Sequence, residues 1–215
     1  MRAAVAALLL LAVPAAPAWA ARECTMGLGQ GWPPAVGNYG EAVERLFDGP
    51  QAPILSLVVL PARGAESGVS LITNAAGSQW TVRRSVADRR VYNWNSGSSK
   101  GGLELRVDQV PQRDEVQMPA ALAQRLVRTW QAAFEQDVPA TQKAPVLEGE
   151  VLSFQLDGKR YSGARPGCGA GKLMLEQAAL LVSATDTKEK KRDRRWNDLE
   201  ESLDKLQELL AGTAG

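Results

Sequence analysis

The chain contains no histidine. Without an imidazole, Ser-His-Asp and Cys-His activation of a nucleophile is excluded. The commonest ligand of zinc and haem is missing as well. Cysteine is almost as scarce, with only Cys24 and Cys168 and no Cys-x-x-Cys, so neither a thiolate metal site nor a catalytic dithiol is predicted. No cofactor is expected. After the first twenty residues no apolar run is long enough to span a bilayer, and no internal repeat is visible. Excess charge is lacking too. Discounting residues 1–20 removes Arg2 and leaves 24 basic against 24 acidic side chains. Bulk attraction to a polyanion, nucleic acid included, is therefore disfavoured.

Residues 1–20, MRAAVAALLLLAVPAAPAWA, read as a secretory signal peptide with one early basic residue, an apolar run and Ala18-Trp19-Ala20 as cleavage site. Ala21, Arg22 and Glu23 precede Cys24, which argues against a lipoprotein. The alanine-rich layout favours a bacterial exported protein, soluble when mature, with the periplasm as first choice. In an oxidising compartment the two cysteines are expected to pair, tying the mature N-terminus to residue 168.

Val151 to Cys168 carries the clearest local signal. Asp157-Gly158 lies between two alternating runs, the pattern of a two-residue hairpin turn with positive φ at both central positions. That register sets Leu156 against Lys159, Phe154 against Tyr161 and Leu152 against Gly163. Leu152, Phe154, Leu156 and Tyr161 then share one apolar face, and Gly163 marks a close approach. Further strands are predicted at 54–60, 69–73, 79–84, 90–94 and 103–108. Residues 24–37 read as loop, and Asn38 with Glu41 as the capping box of a short helix.

Helices are predicted at 119–136, with Leu122, Leu126, Trp130, Ala133 and Phe134 as its stripe, and at 172–183. Trp196, Leu199, Leu203, Leu206 and Leu210 repeat at 3-4-3-4 spacing in a last helix. That seam can dock on the domain, the preferred reading, or pair with a second copy. The expectation is an α+β fold: an antiparallel sheet of about five to seven strands packed by two main helices, with an appended amphipathic C-terminal helix. The domain division is signal peptide 1–20, a single domain 21–184, and C-terminal helix and tail 185–215.

GCGAGKL at 167–173 fails as a phosphate loop, because Pro166 and Leu173 stand where Gly and Ser or Thr are required. It reads as a glycine joint into the following helix. Gly97 stands where a Ser-x-x-Lys motif ending at Lys100 needs serine. The adjacent carboxylates Asp114 and Glu115 rarely could face one cleft, and they are read as lying just before a helix. The best candidate for binding is residues 80–100, where Arg83, Arg84, Arg89, Arg90 and Lys100 interleave with Tyr92 and Trp94. Flat aromatic area with bidentate guanidinium groups suits carboxylate or phosphate partners. The competing reading is a solvated hairpin whose aromatics turn inward. The functional expectation is an exported, non-catalytic binding or accessory protein of the cell envelope, an inhibitor of a secreted protein being one form. Its partner would be an envelope protein or glycan. The alternative is a carboxylate-based hydrolase acting on an envelope polymer.

Overall fold

The computed structural model describes residues 24–95, 102–186 and 188–213. Residues 1–20, read above as a signal peptide, and Lys100 lie outside the described residues. In chain order the elements are β1 (Leu28–Gln30), α1 (Gly37–Asp48), β2 (Leu55–Leu60), β3 (Ser67–Thr73), β4 (Trp80–Val86), β5 (Tyr92–Asn95), β6 (Gly102–Leu105), β7 (Gln112–Met118), α2 (Ala120–Asp137), β8 (Val151–Leu156), β9 (Lys159–Gly163), α3 (Gly169–Asp186) and α4 (Glu189–Thr213). Seven strands form one antiparallel sheet in the order β1-β9-β8-β2-β3-β4-β7, and β5 pairs with β6 in a separate ribbon. The fold is α+β, with α3 and α4 packed together.

The β8–β9 hairpin has the register its sequence dictates, with Phe154 opposite Tyr161 and Leu152 opposite Gly163. Both turn residues take positive φ, 48° at Asp157 and 74° at Gly158, as a two-residue turn of this hand requires. Gly163 faces β1 on its other side, opposite Leu28. β2 continues the sheet beyond β8, with Leu57 opposite Phe154.

One sheet face and the helices α2, α3 and α4 enclose the larger core. Phe134 of α2 stacks on Tyr161 with ring centres 4.2 Å apart, and Trp130 meets Phe154 edge-on at 5.7 Å. The α4 seam is part of this core: Trp196, Leu199, Leu203 and Leu206 are buried among the chain's own helices. Leu210, the last residue of that stripe, is partly buried against the same core. Gln177 on α3 accepts from Trp130 Nε1 at 2.6 Å and donates to the Ser202 carbonyl at 3.1 Å, so one buried amide links three helices.

Cys24 and Cys168 form the disulfide, with Cα atoms 6.0 Å apart. It anchors the chain before β1 to the start of α3 and fits an oxidising, extracytoplasmic location. Gly169 has φ +59°, and a β-carbon there would lie 3.0 Å from Cys24 Sγ. Of the glycines in this joint, Gly169 leaves room for the bridge, and Gly171 for Pro166 and Met26.

Several local readings are corrected. Residues 28–30 form a strand rather than loop, because Gly163 lets that backbone approach β9. Helix α1 starts at Gly37 with Val36 as N-cap and no side-chain cap. The Pro33 carbonyl accepts from Val36 N–H and turns the chain first, which places Asn38 inside the first turn. Asp114 and Glu115 lie within β7, not before a helix. Helix α3 reaches from Gly169 to Asp186, so the glycines begin it and Thr185 and Asp186 remain helical. Strand β6 stops at Leu105.

Candidate functional site

β4 and β7 are sheet neighbours, with Val86 opposite Gln112. A short turn could join them. Instead the chain makes an excursion over residues 87–111 that includes the β5–β6 ribbon. Connections of this kind tolerate change and carry contacts without disturbing the scaffold.

Glu66 fixes the root of the excursion. Its carboxylate is fully buried and accepts from Tyr39 Oη at 2.5 Å, Val91 N–H at 2.8 Å and Tyr92 N–H at 3.3 Å. Its backbone carbonyl accepts from Ala87 N–H at 2.9 Å. One side chain thus ties the start of β3, helix α1 and the ribbon. Burial, first, and the Glu66 hydrogen bond, second, push the Tyr39 hydroxyl well above the ordinary phenol range. It stays a neutral donor.

Arg90, Tyr92 and Tyr39 form a mixed aromatic and cationic corner. The Arg90 guanidinium lies 5.4 Å from the Tyr92 ring centre, and Tyr39 meets Tyr92 edge-on at 5.1 Å. Arg90 Nη2 donates to the Ala62 carbonyl at 3.0 Å. A pocket of about 400 Å³ opens here, with Leu60, Leu147 and Val151 completing the wall. Further along the ribbon Trp94 stands opposite Leu103, and Tyr92 opposite Leu105. Opposite residues share a face. The inner pair packs against α1, while Trp94 is 62% exposed and Leu103 is exposed.

The other arginines of the 80–100 stretch are placed elsewhere. Arg83 is buried in β4, where Nε donates to Glu115 at 2.6 Å and Nη1 to the Asp48 carbonyl at 2.9 Å. From β7, Arg113 Nη2 donates to the Leu46 carbonyl at 2.8 Å. Together they satisfy the C-terminal carbonyls of α1. Arg84 points to the opposite sheet face and pairs with Asp114 at 3.0 Å and Asp186 at 3.4 Å. Arg89 is exposed between Asp88 and Asp108, each 3.9 Å away. The structure therefore brings together Arg90 and Tyr92, places Trp94 further along the same ribbon, and engages Arg83, Arg84 and Arg89 with carboxylates instead. Asp114 and Glu115 project to opposite faces, each engaged by an arginine.

Beneath α1 the sheet is polar. Arg160, Gln155, Ser56, Ser70, Arg83 and Glu115 lie in one cross-strand row. The α1 carboxylate Glu44 is buried and holds Arg160 in a two-pronged ion pair, with Nε at 3.0 Å. Burial, reinforced by the Glu44 charge, raises the Asp48 carboxyl to about 6, against the opposing pull of Arg160 and Arg83.

On its outer side α1 forms one wall of a groove of about 690 Å³, and the chain from Leu105 to Arg113 forms the other. Sequence reasoning missed this groove, and missed Glu66 and Tyr39. Glu66 sits in a polar turn-like stretch, and nothing in its spacing distinguishes a buried acceptor from a solvated one. Among the described residues no group of three or more His, Cys, Asp or Glu is arranged to hold a metal, and no helix is long and apolar enough to cross a membrane. In comparisons with known proteins, no family model, no curated protein and no solved structure matches this chain.

Proposed function

We propose that this is an exported, non-catalytic binding or accessory protein of the bacterial cell envelope, acting in the periplasm or outside the cell. The β5–β6 ribbon is its contact surface. One observation carries the reading. Of the large apolar side chains left exposed among the described residues, Trp94, Leu103, Val107 and Val110 all lie on the 87–111 excursion, and only Val146 and Leu209 lie elsewhere. Such clustering on one connection, whose root is buried while these side chains stay exposed, is the pattern of an interaction site. A non-catalytic role is supported by the lack of histidine and by the ion pairing of Asp114 and Glu115. No observation favours the hydrolase alternative.

The test uses immobilised mature protein and an envelope extract, with recovered partners quantified for wild type, Trp94→Ala and the double variant Trp94→Ala/Leu103→Ser. Both side chains are exposed, so the fold should be unaffected. Loss of a hot-spot aromatic should reduce recovery by about tenfold or more. Equal recovery from all three proteins rejects the ribbon as the contact surface.

A further inference from the structure

The trough between α1 and the Leu105–Arg113 segment has a chemistry of its own. Its two ionisable lining groups are Arg45 and Arg113, and no carboxylate lines it. Among the described residues Arg113 has no ion-pair partner, its Nη2 donating to the Leu46 carbonyl, and Arg45 has a loose ion pair with Glu41 at 3.8 Å and a bond from Nε to the Glu41 carbonyl at 3.3 Å, both on its own helix. Between the guanidinium groups the walls are apolar, with Leu46, Val107 and Val110 prominent. Val110 is 82% exposed, the most of any large apolar side chain described. The trough is open to solvent, not an enclosed cavity, and Leu105 links it to the exposed Leu103 and Trp94 of the ribbon face. A small ligand would leave most of that continuous surface uncovered.

We infer that this trough binds a segment of another protein that carries acidic side chains beside apolar ones. The apolar residues would cover Leu46, Val107 and Val110, and carboxylates would meet Arg45 and Arg113. Charge complementarity of this kind selects partners and sets approach rates, and apolar burial supplies the affinity. The inference rests on reading the excursion as a binding surface, but it uses Arg45, Val107, Val110 and Arg113, none of which lies on β5 or β6.

The test is a selection from a phage-displayed library of random peptides of about twelve residues, long enough to present anchors from i to i+7, on immobilised mature protein. Selected peptides are then measured by fluorescence polarisation against wild type, Arg45→Glu, Val110→Asp and Trp94→Ala. Arg45 and Val110 are both exposed, and near-UV circular dichroism checks that each variant is folded. The expected result is enrichment of peptides that combine Asp or Glu with Leu, Ile, Phe or Trp. Their affinity should fall about tenfold in Arg45→Glu and in Val110→Asp, and also on raising salt from about 50 mM to about 500 mM. Peptides that respond to Trp94→Ala alone would overturn the trough while sparing the ribbon reading. Basic or uncharged consensus peptides, or no enrichment, would also overturn it.

Discussion

Gly163 and Ser85 show how unequal two small buried residues can be. A β-carbon on Gly163 would sit 2.7 Å from the Gly27 carbonyl oxygen and 3.1 Å from the Leu28 Cα. Both are backbone atoms, so relief requires β1 to move away from β9. Gly163→Ala should therefore cost about 1–3 kcal/mol, as overpacking does, and speed amide exchange along Leu28–Gln30. Ser85 is as buried, yet its hydroxyl has no partner among the described residues. Removing a polar group that makes no bond carries little penalty, so Ser85→Ala should leave stability within about 0.5 kcal/mol of wild type or raise it. Urea titrations of the two variants check both values. A Gly163→Ala protein as stable as wild type, with unchanged exchange in β1, would mean that the close approach is not a constraint.

At the scale of elements, α1 is the helix whose docking depends most on charge. Its underside sets Glu44 against Arg160 and leaves Asp48 near the polar sheet row, at a helix end whose dipole disfavours a negative charge. The folded protein holds the Asp48 proton more tightly than an unfolded chain does, because the carboxyl rises from its ordinary 3.8 to about 6. Stability from this group is therefore present at low pH and lost as pH rises through that window. Asp48→Asn removes the titration. The Tm difference, variant minus wild type, should grow from about pH 4 to about pH 7; a constant difference across the range would refute the assignment. The position of α1 was only partly legible. The Asn38 and Glu41 pattern marks a helix here, but its start depends on the Pro33 turn, and its charged underside on strands far away in sequence. The hairpin was readable because Asp157-Gly158 and period-two alternation are local. The site was half readable. Arg90 and Tyr92 stand close in sequence and in space, whereas strand alternation throws Arg83 and Arg84 to opposite faces, and Glu66 reaches Val91 across a separation no local pattern records.

For the whole molecule, the open question raised by the sequence is whether the last helix is an appendage or part of one cooperative unit. Its seam has the spacing of a short coiled coil, and two heptads alone would be marginal. In the fold the seam faces α3 and α2, and Arg125 of α2 reaches across to Asp204 and to Gln207, the latter at 2.6 Å. Leu203 is fully buried, and the adjacent Ser202 carbonyl receives the Gln177 amide. Opening α4 would expose Trp130 and Leu181 of the main core along with its own leucines, since all belong to one apolar cluster. Leu203→Ala should therefore lower global stability by about 2–5 kcal/mol, the range for a buried leucine. The far-ultraviolet helix signal and the near-ultraviolet tryptophan signal should still fall in one coincident transition. An independent appendage would behave otherwise: with Trp196 of α4 replaced by Phe in both proteins, so that the tryptophan signal comes only from outside this helix, helix signal would be lost first, at a temperature set by Leu203→Ala, and the tryptophan transition would not move. Monitoring both signals through one thermal scan separates the two outcomes.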